Sequence, residues 1–160
     1  LRAYGDDMAY LCVCGSTEKW NTLEEFGNWK KKSFAHNLMS TAHVFSENED
    51  PAHPASNLTE DTLEAWYQPE SSELPVEITI CLDDSYNLGY LVLKEAVCYS
   101  QRVEKYEVFV KEGEIWNSIY TGTVIGYKKI IDLQGVETDA IEIRIEDSRV
   151  APVISFVGVY

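Results

Sequence analysis

The sequence has no apolar run approaching the roughly 18 residues of a membrane-spanning helix, so no segment reads as a transmembrane span. It is poor in positive charge: 13 Lys and Arg stand against 27 Asp and Glu, a formal net charge of −14. Phosphate backbones and anionic headgroups repel such a surface, which argues against nucleic-acid and membrane partners. Metal-binding and redox side chains are scarce, with 3 His and 4 Cys and no C-x-x-C pair. His36, His43 and His53 complete no zinc-like spacing. Cys12 and Cys14 are too close to bridge each other comfortably, and Cys81 and Cys98 read as ordinary buried thiols on strands. There is no Gly-rich phosphate loop and no G-x-S-x-G elbow. The opening residues Leu1-Arg2-Ala3-Tyr4-Gly5-Asp6-Asp7 lack an initiator Met and the basic start and apolar stretch of a signal peptide, so the expectation is an excised piece.

What is present is enough for a core. The chain has 160 residues and is 45% hydrophobic, which fits one domain plus a short extension. Residues 1–40 read as an N-terminal extension containing a linker helix at about 21–39. Thr22 and Glu25 form a possible capping box there, and Leu23, Phe26, Phe34 and Leu38 mark an apolar stripe at roughly helical spacing. Trp29 and Lys30–Lys32 fall on or near the other faces, and the stripe needs a partner in the sandwich or in another domain. Residues 41–160 read as all β. Val76, Ile78, Ile80 and Leu82 alternate with outward positions, as do Val108 with Val110 and Ile141, Ile143 with Ile145. Asp83–Asn87 reads as a turn, and Lys111-Glu112-Gly113-Glu114 as a hairpin. About eight short strands predict an antiparallel β-sandwich of the jelly-roll kind behind one amphipathic helix.

Most acidic residues alternate with apolar ones on strands and mark solvated faces, so no two-carboxylate catalytic pair is assembled. The richest polar stretch runs from Asp50 to Trp66. Asn57, Glu60, Asp61 and Thr62 offer the oxygen ligands that Ca²⁺ takes; the plainer reading is a solvated loop anchored by Trp66. Asn57-Leu58-Thr59 is also a glycosylation sequon. His53, Trp66, Tyr67, Tyr86 and Arg149 are the candidates for sugar contact, because aromatic faces stack on sugar rings and His and Arg bond hydroxyls.

One stretch carries a family resemblance. Leu93-Lys94-Glu95-Ala96-Val97-Cys98-Tyr99-Ser100-Gln101-Arg102-Val103-Glu104-Lys105-Tyr106 resembles the E-x-I-x-x-G-Q-R-V-x-x-F/Y signature in the C-terminal domains of family 29 α-L-fucosidases. Trp116 to Lys129 is similar to the family's W-x-x-x-x-x-G-T-x-I-G-x-K-R segment, and Ile141–Ile145 with Ala151-Pro152-Val153-Ile154 to its V-R-L-x-I followed by x-P-x-I. Upstream, Leu23–Gly27 and Phe34–Leu38 look like the helix joining the family's barrel to this domain. The resemblance covers roughly residues 22–160. It implies a galactose-binding-like (discoidin or factor V/VIII type C) fold and a catalytic (β/α)₈ barrel in the same parent chain. A barrel of about 250 residues does not fit here, so no catalytic residue is carried over. Glu95, Gln101, Arg102 and Trp116 are expected to be structural, with a bidentate Arg102–Glu95 pair. Ser100 stands where the family has Gly. The early loop is one residue shorter than the N-x-x-D-G-D-x-x-T-x-W pattern of calcium-binding discoidin modules and lacks its Gly.

The expected function is a non-catalytic domain packed on the barrel of a secreted, periplasmic or lysosomal fucosidase, with exposed loops that shape or cover the barrel's entrance. The alternative is a carbohydrate-binding module for terminal fucose or galactose. A third class, protein adhesion, needs apolar spikes on the loops, and none are evident from sequence.

Overall fold

The computed structural model describes residues 17–160, with side chains from Asn21 onward; Cys12 and Cys14 lie outside the described residues. The chain divides into two compact units, Leu1–His36 and Asn37–Tyr160. The first contains helix α1, Thr17–Ser33, which starts earlier and stops sooner than the periodicity predicts. Thr22 and Glu25 therefore lie inside it and do not cap it. Trp29 is not on an opposite face: its ring lies 5.2 Å from Phe26 and 5.6 Å from Phe34.

In the second unit, Asn37 takes an extended conformation and its side chain accepts the Met39 N–H, starting a single helical turn at Leu38–Ser40. That local bond gives the backbone an alternative to continuing a helix. The same Oδ1 accepts the N–H of Val159 at 3.2 Å, tying the turn to the last strand.

Six strands follow among the described residues: β1 His43–Phe45, β2 Val76–Glu95, β3 Val103–Glu112, β4 Ile115–Gly122, β5 Lys129–Ser148 and β6 Ile154–Val159. The count is lower than eight because two pairs of expected short strands are continuous. Asp83–Asn87 is not a turn. β2 runs through it, with a register shift between Cys81 and Tyr86. A bulge absorbs extra residues and bends a strand without ending its ladder, so a polar exposed patch mid-strand need not reverse the chain. β5 has its own irregularity, where Gln134 and Gly135 take positive φ of 57° and 73°.

β2 and β5 thus form one long antiparallel ribbon. Its first half, Val76–Cys81 with Ala140–Ile145, is flanked by β1 and by β3–β4. Its second half is flanked by β6, so the ribbon contributes to two layers of a β-sandwich. The inward faces meet in one core. Ile78, Ile80, Val108, Val110, Ile141 and Ile143 from one half join Leu91, Leu93, Ile131, Val157 and Val159 from the other. Burying each such side chain contributes roughly 1.5–3 kcal/mol. Ile141, Ile143 and Ile145 point inward as their alternation predicts. The β3–β4 hairpin turns at Gly113, whose φ of +62° is the left-handed value glycine adopts freely.

Candidate functional site

The connection from β1 to β2, residues 46–75, is long and tied down at its middle. Tyr67 is the anchor. It is fully buried, and its backbone pairs with Ile154 in both directions, at 2.7 and 3.1 Å. Its hydroxyl donates to the Asn48 carbonyl at 2.6 Å and lies 3.0 Å from Ser46 Oγ. Burial pushes its phenol up to about 12. Tyr67 is therefore no sugar contact but the core anchor expected of its neighbour Trp66.

Trp66, one residue earlier, points the other way and is half-buried. The N–H of Gln68 donates to His53 O at 3.1 Å, and that of Asp50 to Gln68 O at 2.9 Å. This pairing lays the His53 ring on Trp66, with centroids 4.2 Å apart and planes at 20°. Tyr99 completes the group at 4.8 Å from Trp66. The sequence alone pairs neither His53 with Trp66 nor Tyr99 with Trp66. The available signal for Tyr99 was its place in the turn just before Gln101-Arg102.

Tyr99 belongs to a loop held by a buried carboxylate. Glu95 is 3% exposed. Its Oε1 accepts the backbone N–H groups of Arg102 (2.8 Å) and Val103 (2.9 Å), and Oε2 accepts that of Gly126 (2.7 Å). The expected Arg102–Glu95 ion pair is thus replaced by a backbone bond. The Arg102 guanidinium instead donates to the carbonyls of Tyr99 (3.1 Å) and Ala151 (2.7 Å). Charge-assisted bonds of this kind are stronger than neutral ones. Together the two residues fasten the β2–β3, β4–β5 and β5–β6 loops to one another. Gln101 is exposed, and Trp116 lies at 37% exposure on β4, opposite Lys111 of β3.

Ser100 adopts φ 80°, ψ 157°, a region essentially reserved for glycine. Ser100→Gly is expected to raise stability by about 1 kcal/mol, read as an increased urea midpoint at unchanged m-value. No gain, or a loss, would mean the serine side chain holds the loop.

The other sugar candidates do not join this group. Tyr86 donates its hydroxyl to Asp83 at 3.1 Å, which holds the phenol above its ordinary value, and it pairs with Thr138 on β5. Arg149 is exposed and donates to Glu104 at 2.6 Å.

Three of the four calcium candidates, Asn57, Asp61 and Thr62, make other hydrogen bonds. Both oxygens of Asp61 accept from Lys94 Nζ, at 2.6 and 2.9 Å. Asn57 donates its amide to the Trp66 carbonyl at 2.9 Å, and Thr62 Oγ1 accepts the Glu64 N–H. Ser56, Asn57, Thr59, Glu60 and Thr62 line a pocket of about 270 Å³ that holds one carboxylate residue, Glu60. Among the described residues no group of three or more His, Cys, Asp or Glu comes together. Ca²⁺ takes about six to eight oxygens, often several carboxylates, so these residues fit it poorly. Millimolar Ca²⁺ is expected to move the melting temperature by less than about 1 °C, since the shift follows ligand occupancy; a rise of several degrees would refute this. Cys81 and Cys98 are unbridged thiols, and Cys98 is exposed on the loop before Ser100, not buried on a strand.

The fold defines a class: a galactose-binding-like β-sandwich. Its solved neighbours include the family 32 carbohydrate-binding module of C. perfringens NanJ in complex with galactose, at TM-score 0.69 and 14% identity over 76% of this chain and 95% of that one. A family 29 fucosidase of Ruminococcus gnavus in complex with fucose superposes at TM-score 0.81 and 24% identity, over 91% of this chain and 30% of that one. By sequence, the chain is 29% identical over 150 residues to "Putative alpha-L-fucosidase 1" of Oryza sativa subsp. japonica, covering 91% of this chain and 29% of that protein. No family model matches. The chain spans less than a third of the length of these fucosidase relatives and corresponds to their C-terminal portion.

Proposed function

We propose that this chain is the C-terminal accessory sandwich of an α-L-fucosidase, and that it packs on the catalytic domain of the same polypeptide and stiffens it. The observation that carries this is the extent of the match. It takes in 91% of the chain, yet only 29% of the rice relative. The geometry agrees. The residues that stand out in the sequence motif, Glu95 and Arg102, are consumed in fastening loops and leave no free acid–base pair. Deleting residues 37–160 from the full-length parent is expected to lower its melting temperature by more than 5 °C, on the order of a lost domain interface. A truncated parent as stable and as active as the whole would overturn the proposal.

A second reading has one specific observation in its favour. His53 and Trp66, singled out as sugar-contact types, lie together with Tyr99 on adjoining loops. Aromatic rings beside polar loop groups suit terminal fucose or galactose. This reading requires calorimetric heat with either sugar, lost in Trp66→Ala; a flat titration sinks it.

A further inference from the structure

β4 is an edge strand whose built-in protection is a single bulge against β3, at Ile119. It ends the five-stranded layer, β1-β2-β5-β3-β4, and among the described residues no strand pairs with its far side. Such an edge presents unpaired N–H and C=O groups, and proteins normally blunt it with charge, proline or a cover. Here the sequence from Ile115 through Tyr127 contains no charged residue and no proline, in a chain that is 25% charged. Apolar side chains stand out of it: Ile115 is 65% exposed, Trp116 37%, Ile119 38% and Val124, just past the strand, 42%. Two polar side chains turn back onto β3, where Asn117 donates to Glu112 at 3.0 Å and Ser118 to Glu107. The strip itself is left without a charged side chain, its exposed apolar residues interspersed with the neutral Ser118, Thr121 and Thr123.

We propose that this strip, Ile115 to Val124, is the surface on which the catalytic portion of the parent polypeptide packs, through a neutral apolar segment lying along the β4 edge. The inference rests on the reading of the chain as a fucosidase's C-terminal domain. That reading places roughly two-thirds of the polypeptide outside this chain, since the chain covers 29% of its rice relative. The occupant has to be uncharged at the contact. The strip has no charged side chain of its own, so a charge on the occupant would be desolvated there without a partner within it, which is costly. A second copy of this chain fits less well, because each copy carries a formal net charge of −14 and repulsion opposes their approach.

The test is hydrogen exchange by mass spectrometry on the full-length parent enzyme, combined with lysine cross-linking. Amides of Ile115–Gly122 are expected to exchange at least 10-fold more slowly than an uncovered edge strand. Cross-links are expected from Lys111, on the adjoining strand, to the catalytic portion. The variant Ile119→Lys should restore fast exchange in β4 and cut the cross-link yield several-fold while β2 and β5 stay protected. Fast exchange in wild-type β4, with cross-links from another face of the sandwich, would overturn this inference and leave the accessory-domain reading standing. Protection that falls on dilution would identify a second copy as the occupant and also overturn it. No cross-link from any face to the catalytic portion would remove the accessory-domain reading itself.

Discussion

Glu95→Ala is expected to destabilise the sandwich by about 4 kcal/mol. The carboxylate accepts three backbone N–H groups from two loops and is itself almost wholly buried. Removing it strips one buried and two partly buried donors of their acceptor, and each unsatisfied donor costs roughly 1–3 kcal/mol unless water enters. Glu95→Gln separates charge from geometry. The amide oxygen can keep the bonds to Arg102 and Val103, but its NH₂ then faces the Gly126 N–H. About half the loss is expected, near 2 kcal/mol. Urea unfolding monitored by tryptophan fluorescence reads both. Equal stability of wild type and Glu95→Ala would show that the loops are held by something else.

Tyr67→Ala is expected to cost about 3–5 kcal/mol, the range for emptying a buried aromatic site. The side chain is fully buried, and the loop it anchors carries His53 and Trp66. Tyr67→Phe keeps the ring and removes the bonds to Asn48 and Ser46, so a loss of about 1–2 kcal/mol is expected. The phenol also makes stability pH-dependent. Its folded value is raised from 10.0 to about 12, chiefly by burial, so the neutral form is the one the fold favours. The contribution is whole below pH 10 and is lost as pH climbs from 10 towards about 12. Tyr67→Phe should remove this part of the alkaline decline. An unchanged slope in the variant would assign the decline to other groups, such as Tyr106, whose phenol burial also raises strongly.

These two residues show where the sequence was legible and where it was not. Alternation along Ile141–Ile145 revealed the inward face directly, because a strand's side-chain period is local. The bulges of β2 and β5 were invisible, since extra residues accommodated mid-ladder leave the same polar composition as a turn. The loop composition points to Trp66 as the anchor, whereas Tyr67 enters the core. Neighbours on an extended segment face opposite ways, and only the pairing of Tyr67 with Ile154 decides which enters the core. Glu95 and Arg102 were identified as structural from the motif, but their joining was misread. Side-chain types suggested an ion pair; the backbone groups that in fact meet the carboxylate depend on loop conformation, including the positive φ at Ser100. The exposed apolar residues Val97, Tyr99, Val124, Tyr127 and Val150 on the loops were likewise missed, because loop residues have no period to betray their exposure.

The most direct test of the chain's place in a fucosidase is hydrolysis of a chromogenic α-L-fucoside by the chain alone and by its full-length parent, at equal molar concentration. Turnover is expected from the parent, and none above buffer from the chain, which matches only 29% of the rice relative's length. Turnover by the isolated chain, abolished by a point substitution within residues 37–160, would contradict the non-catalytic assignment outright.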